Sequence, residues 1–534
     1  MRLLYISIFL LIYSSLLAQD SSISTITSEI FKEEKFKTSL MFAEEDSNGD
    51  IYIVRDFLSS YAAPKGYYLE RYDKNLNLLK KTSLEINNSE LRGMFLFEDE
   101  VRLIEFRYIQ KEKRYSFVAL QLKKSDFSIS ETELISIDRT EIKKYAHYGI
   151  RKEPDFGALR VFNFGDVTIS DNKKFFALQL YKKENKGLSF YVKTFHANFE
   201  EFYTHTVFEG QSGKGNSRSQ KVIVTQQVIL DNSGDLYLLG KLYPDDRLDD
   251  IKRGKPNYSY QLVQLSKDQV KYASLPIQDK FVNSLAMLID GKFAYCFGLY
   301  SDDFGKILKR QQQIGTIRFK IDKADMSISD SKYSLFNKQF QLDKYGKDNN
   351  KGATLVTLRA FDFTDDGGIV FNTEEYFRTV ESGNGITTTY NEYSDIMSFK
   401  IDANGEVVWS RNINKRQRSR HRSDIGKLSF ASFIVGNGTK ILFNTDPDIT
   451  EMSDGRRKFT TRWFSSRQRF ITASISNNGD LSYESNQYNI SVEAKAEVHF
   501  SLKLNETDYL MEIEHPEGPQ LMKFSFRLEL IQNK

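Results

Sequence analysis

The chain has 534 residues, a formal net charge of +3, 40% hydrophobic residues and 8 prolines. The hydrophobic fraction is enough for a core. The few prolines exclude a proline-rich disordered chain, and the near-neutral charge argues against a dedicated nucleic-acid binder. Phe, Tyr, Ile and Val outweigh alanine, which suits pleated, half-buried surfaces.

Residues 1–18 read as a secretory signal peptide: Arg2, the apolar run Leu3–Leu17, then Ala18 before Gln19. The run is short for a bilayer span, which needs about 20 residues. Gln19 stands where a lipid-attachment cysteine would follow. No later stretch is apolar enough to span, so the expectation is an exported protein, periplasmic or extracellular, with residues 19–534 as one domain. Cys296, in Phe293-Ala294-Tyr295-Cys296-Phe297, is the only cysteine. An intramolecular disulfide is therefore impossible, and a buried structural thiol is expected.

The rest of the chain repeats one unit, an apolar strand, a tight Asp/Asn/Gly turn and a second apolar strand. Val228–Gly240 is its clearest copy. The first turn series runs Asp46–Asp50, Glu98–Glu100, Asp171–Lys173, Asp231–Asp235, Asp290–Lys292, Asp365–Gly368, Gly436–Gly438 and Asn505–Asp508. Tight hairpins need positive φ or side-chain-to-backbone bonds, which these residues supply. A second series includes Asp73–Asn75, Asp322–Asp325, Asp402–Gly405 and Asn477–Asp480. The strands before it alternate with period 2, as in Met397-Ser398-Phe399-Lys400-Ile401.

Asp231-Asn232-Ser233-Gly234-Asp235-Leu236-Tyr237-Leu238-Leu239-Gly240 resembles the Asp-x-x-Gly-Asn-x-Tyr-x-x-Gly core of bacterial extracellular propeller repeats. Asp402–Trp409 is similar to the quinoprotein-type repeat. The whole chain, with its Leu-Leu-Ala-Gln signal end, resembles exported propellers of the Bacteroidota. The resemblance implies an all-β fold, a β-propeller of four-stranded antiparallel blades, with strands A to D from the axis outward. The count favours eight blades, or seven if the second unit is misread. The eighth has three strands of its own, Val498–Leu504, Tyr509–Glu514 and Leu521–Ile531. Its fourth strand is expected from the N-terminal segment Ser22–Phe31, closing the ring and removing open edges.

In that scheme the A–B and C–D turns share one face and are short. The long polar segments occupy the other. Asp56–Gly66, Pro244–Asn257, Ser301–Gln313, Tyr376–Asp395 and Asp446–Trp463 are read as B–C loops. Asp138–Phe156, Glu209–Gln220, Asn337–Gly352 and Asn412–Gly426 are read as D–A loops. Long loops on a rigid scaffold are where binding usually resides. Two of these segments are basic: Arg411–Arg422, with Arg416, Arg418, Arg420 and Arg422, and Arg456–Arg469, with Arg456, Arg457, Trp463 and Arg467. They are expected side by side. Guanidinium forks suit carboxylates or phosphates and Trp463 could stack on a sugar, so these eight residues form the candidate binding set. The bland alternative is a solvated charge run.

Other motifs carry less. Asp46–Asp50 begins like a calcium loop, but Ile51 and Phe57 stand where the later glycine and glutamate belong. Gly210–Gly215 lacks a Gly-Lys-Ser/Thr ending, and Thr364–Phe371 resembles a single Asp-box. Asp245, Asp246, Asp249 and Asp250 are balanced by Lys252, Arg253 and Lys255. His147 with Tyr148, Arg151, Glu153 and Asp155 could serve acid/base chemistry, and an ordinary polar loop explains them as well. No catalytic residue, metal or cofactor is assigned. The sequence thus predicts a non-catalytic, monomeric binding or scaffold propeller of the cell envelope, its partner an envelope protein or an anionic glycan rather than nucleic acid. The alternatives are a lyase or hydrolase of acidic polysaccharide, and a soluble subunit of an outer-membrane transport or secretion complex.

Overall fold

The computed structural model describes residues 23–31, 38–58, 64–85, 89–142, 165–184, 187–207, 222–244, 248–302, 312–354, 356–383, 386–420, 426–461, 468–485 and 495–526. They are almost entirely β. Among the described residues eight larger sheets follow one another along the chain: six have four antiparallel strands paired in sequence order, the sixth sheet is widened to six strands by Arg457–Thr461 and Thr450–Glu451, and the last has five. In the first, Thr38–Glu45, Ile51–Leu58, Pro64–Tyr72 and Leu78–Glu85 pair successively. In the last, Asp508–His515 pairs with Gly518–Phe526, and the N-terminal strand Ile23–Ile30 adds to Gly518–Phe526 as its outer edge. Ile23 lies opposite Phe526 and Ser24 opposite Ser525.

The innermost strands meet in sequence. Thr38–Glu45 lies against Ser89–Phe97, which lies against Gly165–Ile169, and the series continues through Val222–Leu230, Phe281–Ile289, Val356–Phe363 and Ala431–Val435. Ala431–Val435 touches the 3-10 turn Val498–Phe500, and Leu502–Lys503 returns to Thr38–Glu45. The cores lie between neighbouring sheets, where apolar faces of two sheets interdigitate. One such cluster joins Tyr237, Leu239 and Leu262 of the fourth sheet to Met287, Cys296 and Phe319 of the fifth. Burial drives the Cys296 thiol well above its ordinary pKa, consistent with a structural role.

All the expected A–B and C–D turns occur as turns between the expected strands. Their first residue repeatedly caps its own turn. Asp231 Oδ1 accepts from the Ser233 and Asp235 N–H groups, Asp46 from Asn48 and Asp50, and Asp402 from Asn404 and Glu406. Gly234, at φ +88°, occupies the left-handed region that a side chain would strain.

A second device repeats between sheets. A basic side chain of one sheet donates to a carbonyl in the C–D turn of the next. The series is Lys523 to Lys74, Lys80 to Ser125, Arg102 to Ala197, His205 to Ser266, Lys271 to Ala324, Arg318 to Ala403 and Arg411 to Gly479. The first member joins the last sheet to the first. The junction from the seventh sheet to the eighth lies outside the series, and the eighth sheet has no C–D turn because its outer strand is the N-terminal segment.

Several long segments differ from expectation. Tyr376–Asp395 is not a loop, because Ile369–Gly383 and Ile386–Ile401 form one long hairpin paired from Ile369–Ile401 to Gly383–Ile386. Its strands have 15 and 16 residues, against eight to ten for most others. Asn412–Ser419 is likewise strand, the end of Val407–Ser419. Asn337–Gly352 contains an α-helix, Lys338–Tyr345, capped by Asn337, whose side chain accepts from Phe340 N–H, and closed by Gly346 in the left-handed region. Val498–Leu504 opens as the 3-10 turn Val498–Phe500, with strand only at Leu502–Lys503. Residues 1–18, Glu209–Gln220 and the segment around His147 lie outside the described residues.

Candidate functional site

The structure joins the two basic stretches directly. Val407–Ser419 and Arg457–Thr461 are parallel strands, with Asn414 opposite Lys458 and Gln417 opposite Thr461. Because a strand alternates, the stretch is divided between two surfaces. Lys415, Gln417 and Ser419 are buried, whereas the Arg416 side chain is 56% exposed and that of Arg418 30%.

On the outer surface the arginines meet carboxylates of the long hairpin. Arg416 Nη2 lies 3.2 Å from Glu392 Oε2, and Arg418 pairs with Glu381 and sits 3.6 Å over the Tyr390 ring. Glu392 also accepts from Thr379 Oγ1 at 2.7 Å. Arg420 is exposed at the strand's end. Arg456 bonds Asp454 and donates to the Lys344 carbonyl at 2.6 Å, tying its strand to the helix end. Arg457 lies 5.8 Å from the Tyr483 ring centroid. Arg422, Trp463 and Arg467 lie outside the described residues. What the described residues form is therefore a charge-balanced, aromatic-bearing surface on a projecting sheet, in place of the cationic loop pair expected.

The inner surface holds a network that the sequence reading missed. Glu374, fully buried, receives Lys415 Nζ at 2.5 Å, Arg359 Nη2 at 2.7 Å and Ser429 Oγ at 2.6 Å. Lys415 also donates to Gln417 Oε1 at 2.8 Å, and Gln417 Nε2 reaches the Asn444 carbonyl. Burial holds the Lys415 and Arg359 pKa values below their ordinary levels, against the pull of Glu374. Burial, with help from Arg359 and Lys415, pushes His499 down to about 3, so its ring is neutral near pH 7. Nearby, Lys344 binds Asp395 at 2.5 Å and Glu375 at 2.9 Å, and these two carboxylates raise its pKa although burial opposes them.

Buried ionic groups also gather at the same end of the first sheet. Arg55 is fully buried between Glu70, at 3.1 Å, and Glu512 of the last sheet. Asp56, one strand position away, is pushed up to about 7 by burial, opposed by the Ser39 N–H bond.

Around the axis, the innermost strands carry bulges near the D–A end. The pairing of strands A and B slips at Met41, Arg92, Gln226, Asn283–Ser284 and Arg359. Bulges re-aim side chains, and all of these lie five to seven residues before the A–B turn. At the opposite end, ion pairs connect non-neighbouring sheets. Lys173 Nζ of the third reaches Glu44 of the first at 2.8 Å, and Lys503 of the eighth reaches Asp362 of the sixth at 3.3 Å. The short-turn end is thus tied across by charge, and the bulges lie toward the long-segment end.

Sheets of four antiparallel strands whose inner strands meet one after another define a β-propeller. No family model matches the sequence, and no curated protein matches it. Among solved structures, the chain is similar to the polysaccharide lyase Uly1, with TM-score 0.36, 9% identity and coverage of 82% of this chain and 90% of that one. It is similar to the β-propeller domain of the Trilobed protease from Pyrococcus furiosus, described as having an open velcro topology, with TM-score 0.36, 9% identity and coverage of 86% and 98%. It is also similar to prolyl oligopeptidase B from Galerina marginata, with TM-score 0.33, 8% identity and coverage of 83% of this chain and 56% of that one. Among the described residues no helix is long and apolar enough to cross a membrane.

Proposed function

We propose that this chain is a non-catalytic binding or scaffold propeller of the cell envelope that works through its D–A and B–C end. The sheets serve as eight blades, with Ile23–Ile30 closing the ring on Gly518–Phe526. The observation that carries the reading is the projecting extension of the sixth sheet. Tyr376–Gly383 alone adds roughly 25 Å of strand, at about 3.3 Å per residue. The extension presents Arg416, Arg418, Glu381 and Tyr390 on one surface, with Glu392 buried against both arginines and the Glu374 network bracing it beneath. Strand-borne side chains held by a buried ionic network are preorganised for recognition. A mixed-charge, aromatic surface suits an envelope protein better than a polyanion, because its guanidinium groups already face carboxylates.

The chain is exported after removal of residues 1–18. Cell fractionation with N-terminal sequencing tests the export: Gln19 as the first residue is expected, and an intact Met1 in the cytoplasm contradicts it. Retention of a defined envelope protein by the purified chain, with no product from an acidic-polysaccharide panel, is expected. Turnover of such a polysaccharide overturns the non-catalytic reading in favour of a glycan-active enzyme. Co-purification with a membrane barrel would make the chain a subunit of a transport complex.

A further inference from the structure

The projecting hairpin has an open edge. Val356, at the start of the inner strand of the sixth sheet, lies opposite Glu375, and that pairing goes no further. Tyr376–Gly383 pairs with Ile386–Tyr393 on one side and, among the described residues, with no strand on the other. Gly383 faces Ile386 with two residues between them, so this pair exchanges both of its backbone hydrogen bonds. Alternation then turns the N–H and C=O groups of Ser382, Val380, Arg378 and Tyr376 toward the open side. Proteins usually interrupt such edges with charges, proline or bulges. The outer strands of the first, second, third and fifth sheets each slip by one residue, at Leu79, Leu134, Phe202 and Ser329. Tyr376–Gly383 has neither proline nor lysine, and its pairing is regular throughout.

The side chains at the outward positions also lack complements. Val380 is 63% exposed. Arg378 is exposed and its Nε donates to Tyr376 Oη at 3.1 Å, but among the described residues no carboxylate pairs with it. We propose that this edge receives an extended segment of a partner protein as an added antiparallel strand. Donor and acceptor sets about 6.8 Å apart along one line match a polypeptide strand rather than a sugar. The side chains set the preference: a β-branched residue opposite Val380, and an acidic residue two positions toward the segment's C-terminus, opposite Arg378. A basic residue one position before the β-branched one faces Glu381, whose side chain is 59% exposed. This rests on the binding reading above and supplies its mode, because the added strand lengthens the same sheet that carries Arg416 and Arg418.

The probe is a fluorescein-labelled peptide amide, Thr-Lys-Val-Thr-Glu-Val-Thr, titrated against the full chain by fluorescence anisotropy. Its first Val is designed to lie opposite Val380 and its Glu opposite Arg378. Saturable binding is expected, with amide hydrogen exchange slowed across Tyr376–Ser382. N-methylation of that Val and the Glu, whose N–H groups face the edge, should weaken binding at least tenfold. N-methylation of the Lys and the middle Thr, whose N–H groups face away, should spare it. A probe with Lys in place of Glu should bind at least tenfold more weakly, and Arg378→Glu should restore it. Val380→Pro removes an outward N–H without touching the hairpin's own bonds, so it should abolish binding with little change in melting temperature. No saturable binding, equal affinity of the two N-methylated probes, slowed exchange only elsewhere, or no rescue by Arg378→Glu overturns the proposal. A dimer in sedimentation that Val380→Pro breaks also overturns it, by giving the edge to a second copy of the chain. Capture of an envelope protein that survives Val380→Pro removes only this mode and leaves the binding reading standing. Probe binding without capture of any envelope protein removes that reading and keeps the edge.

Discussion

Replacing Glu374 by Gln tests the brace beneath the projecting sheet. The substitution keeps side-chain shape and removes one charge, depriving Lys415, fully buried, and Arg359, 8% exposed, of the carboxylate that both contact. Removing one partner of a buried ion pair costs about 3–5 kcal/mol, chiefly from the stranded charge. A loss of that size at pH 7 is expected in denaturant unfolding. Its pH dependence follows from Lys415, whose folded pKa is already below its ordinary value. Without Glu374 it falls further. Between the folded and unfolded pKa values the unfolded chain holds more protons, so stability rises with pH. The deficit of Glu374→Gln should therefore shrink between pH 7 and about pH 10. Adding Lys415→Met to Glu374→Gln should recover part of the loss at pH 7. A single variant within about 1 kcal/mol of the parent at pH 7, or a deficit that grows with pH, would refute the reasoning.

Further outcomes follow from other sites. Asp56 titrates near 7 in the folded chain against an ordinary value of 3.8, so the folded state holds the extra proton between those values and stability falls as pH rises through them. Asp56→Asn should flatten that fall, read as the difference in melting temperature between pH 5 and pH 8. Gly298→Ala should destabilise by about 1–3 kcal/mol through overpacking against the Ser284 carbonyl, measured by chemical unfolding. Ser24 and Ser525 face each other across the terminal strands, so Ser24→Cys with Ser525→Cys should form a disulfide in a chain whose own Cys296 is buried. Non-reducing mass spectrometry showing two free new thiols would contradict closure by the N-terminal strand.

The turns were legible because their chemistry is local. Asp231 caps its own hairpin and Gly234 takes a positive φ, so the residues that name the turn also make it. The outer strand Ile23–Ile30 was legible from its spaced isoleucines and the missing edge it fills. The long hairpin was misread because polarity was taken as the mark of a loop. In Tyr376–Asp395 much of the strand surface faces solvent, so the usual apolar alternation is absent although Thr387, Thr388, Thr389 and Tyr390 favour strand. Asn412–Ser419 was misread because its buried positions are mostly polar, with Asn412, Asn414 and Gln417 hydrogen-bonded in the interior. The helix Lys338–Tyr345 had readable ends, Asn337 and Gly346, but little amphipathic pattern between them. The Glu374 network was not legible, because Arg359, Glu374 and Lys415 come from three strands of the sixth sheet and His499 from the eighth unit, and only tertiary pairing brings them together.

The most direct measurement compares capture of an envelope partner by two sets of variants of the full chain. Arg416→Glu with Arg418→Glu reverses charge on the projecting surface, whereas Asn48→Lys with Asn478→Lys alters exposed turns at the opposite end. Capture should fall at least tenfold for the first pair and stay at the parent level for the second. Loss in the turn pair with retention in the arginine pair would place the working face at the short-turn end and contradict the account.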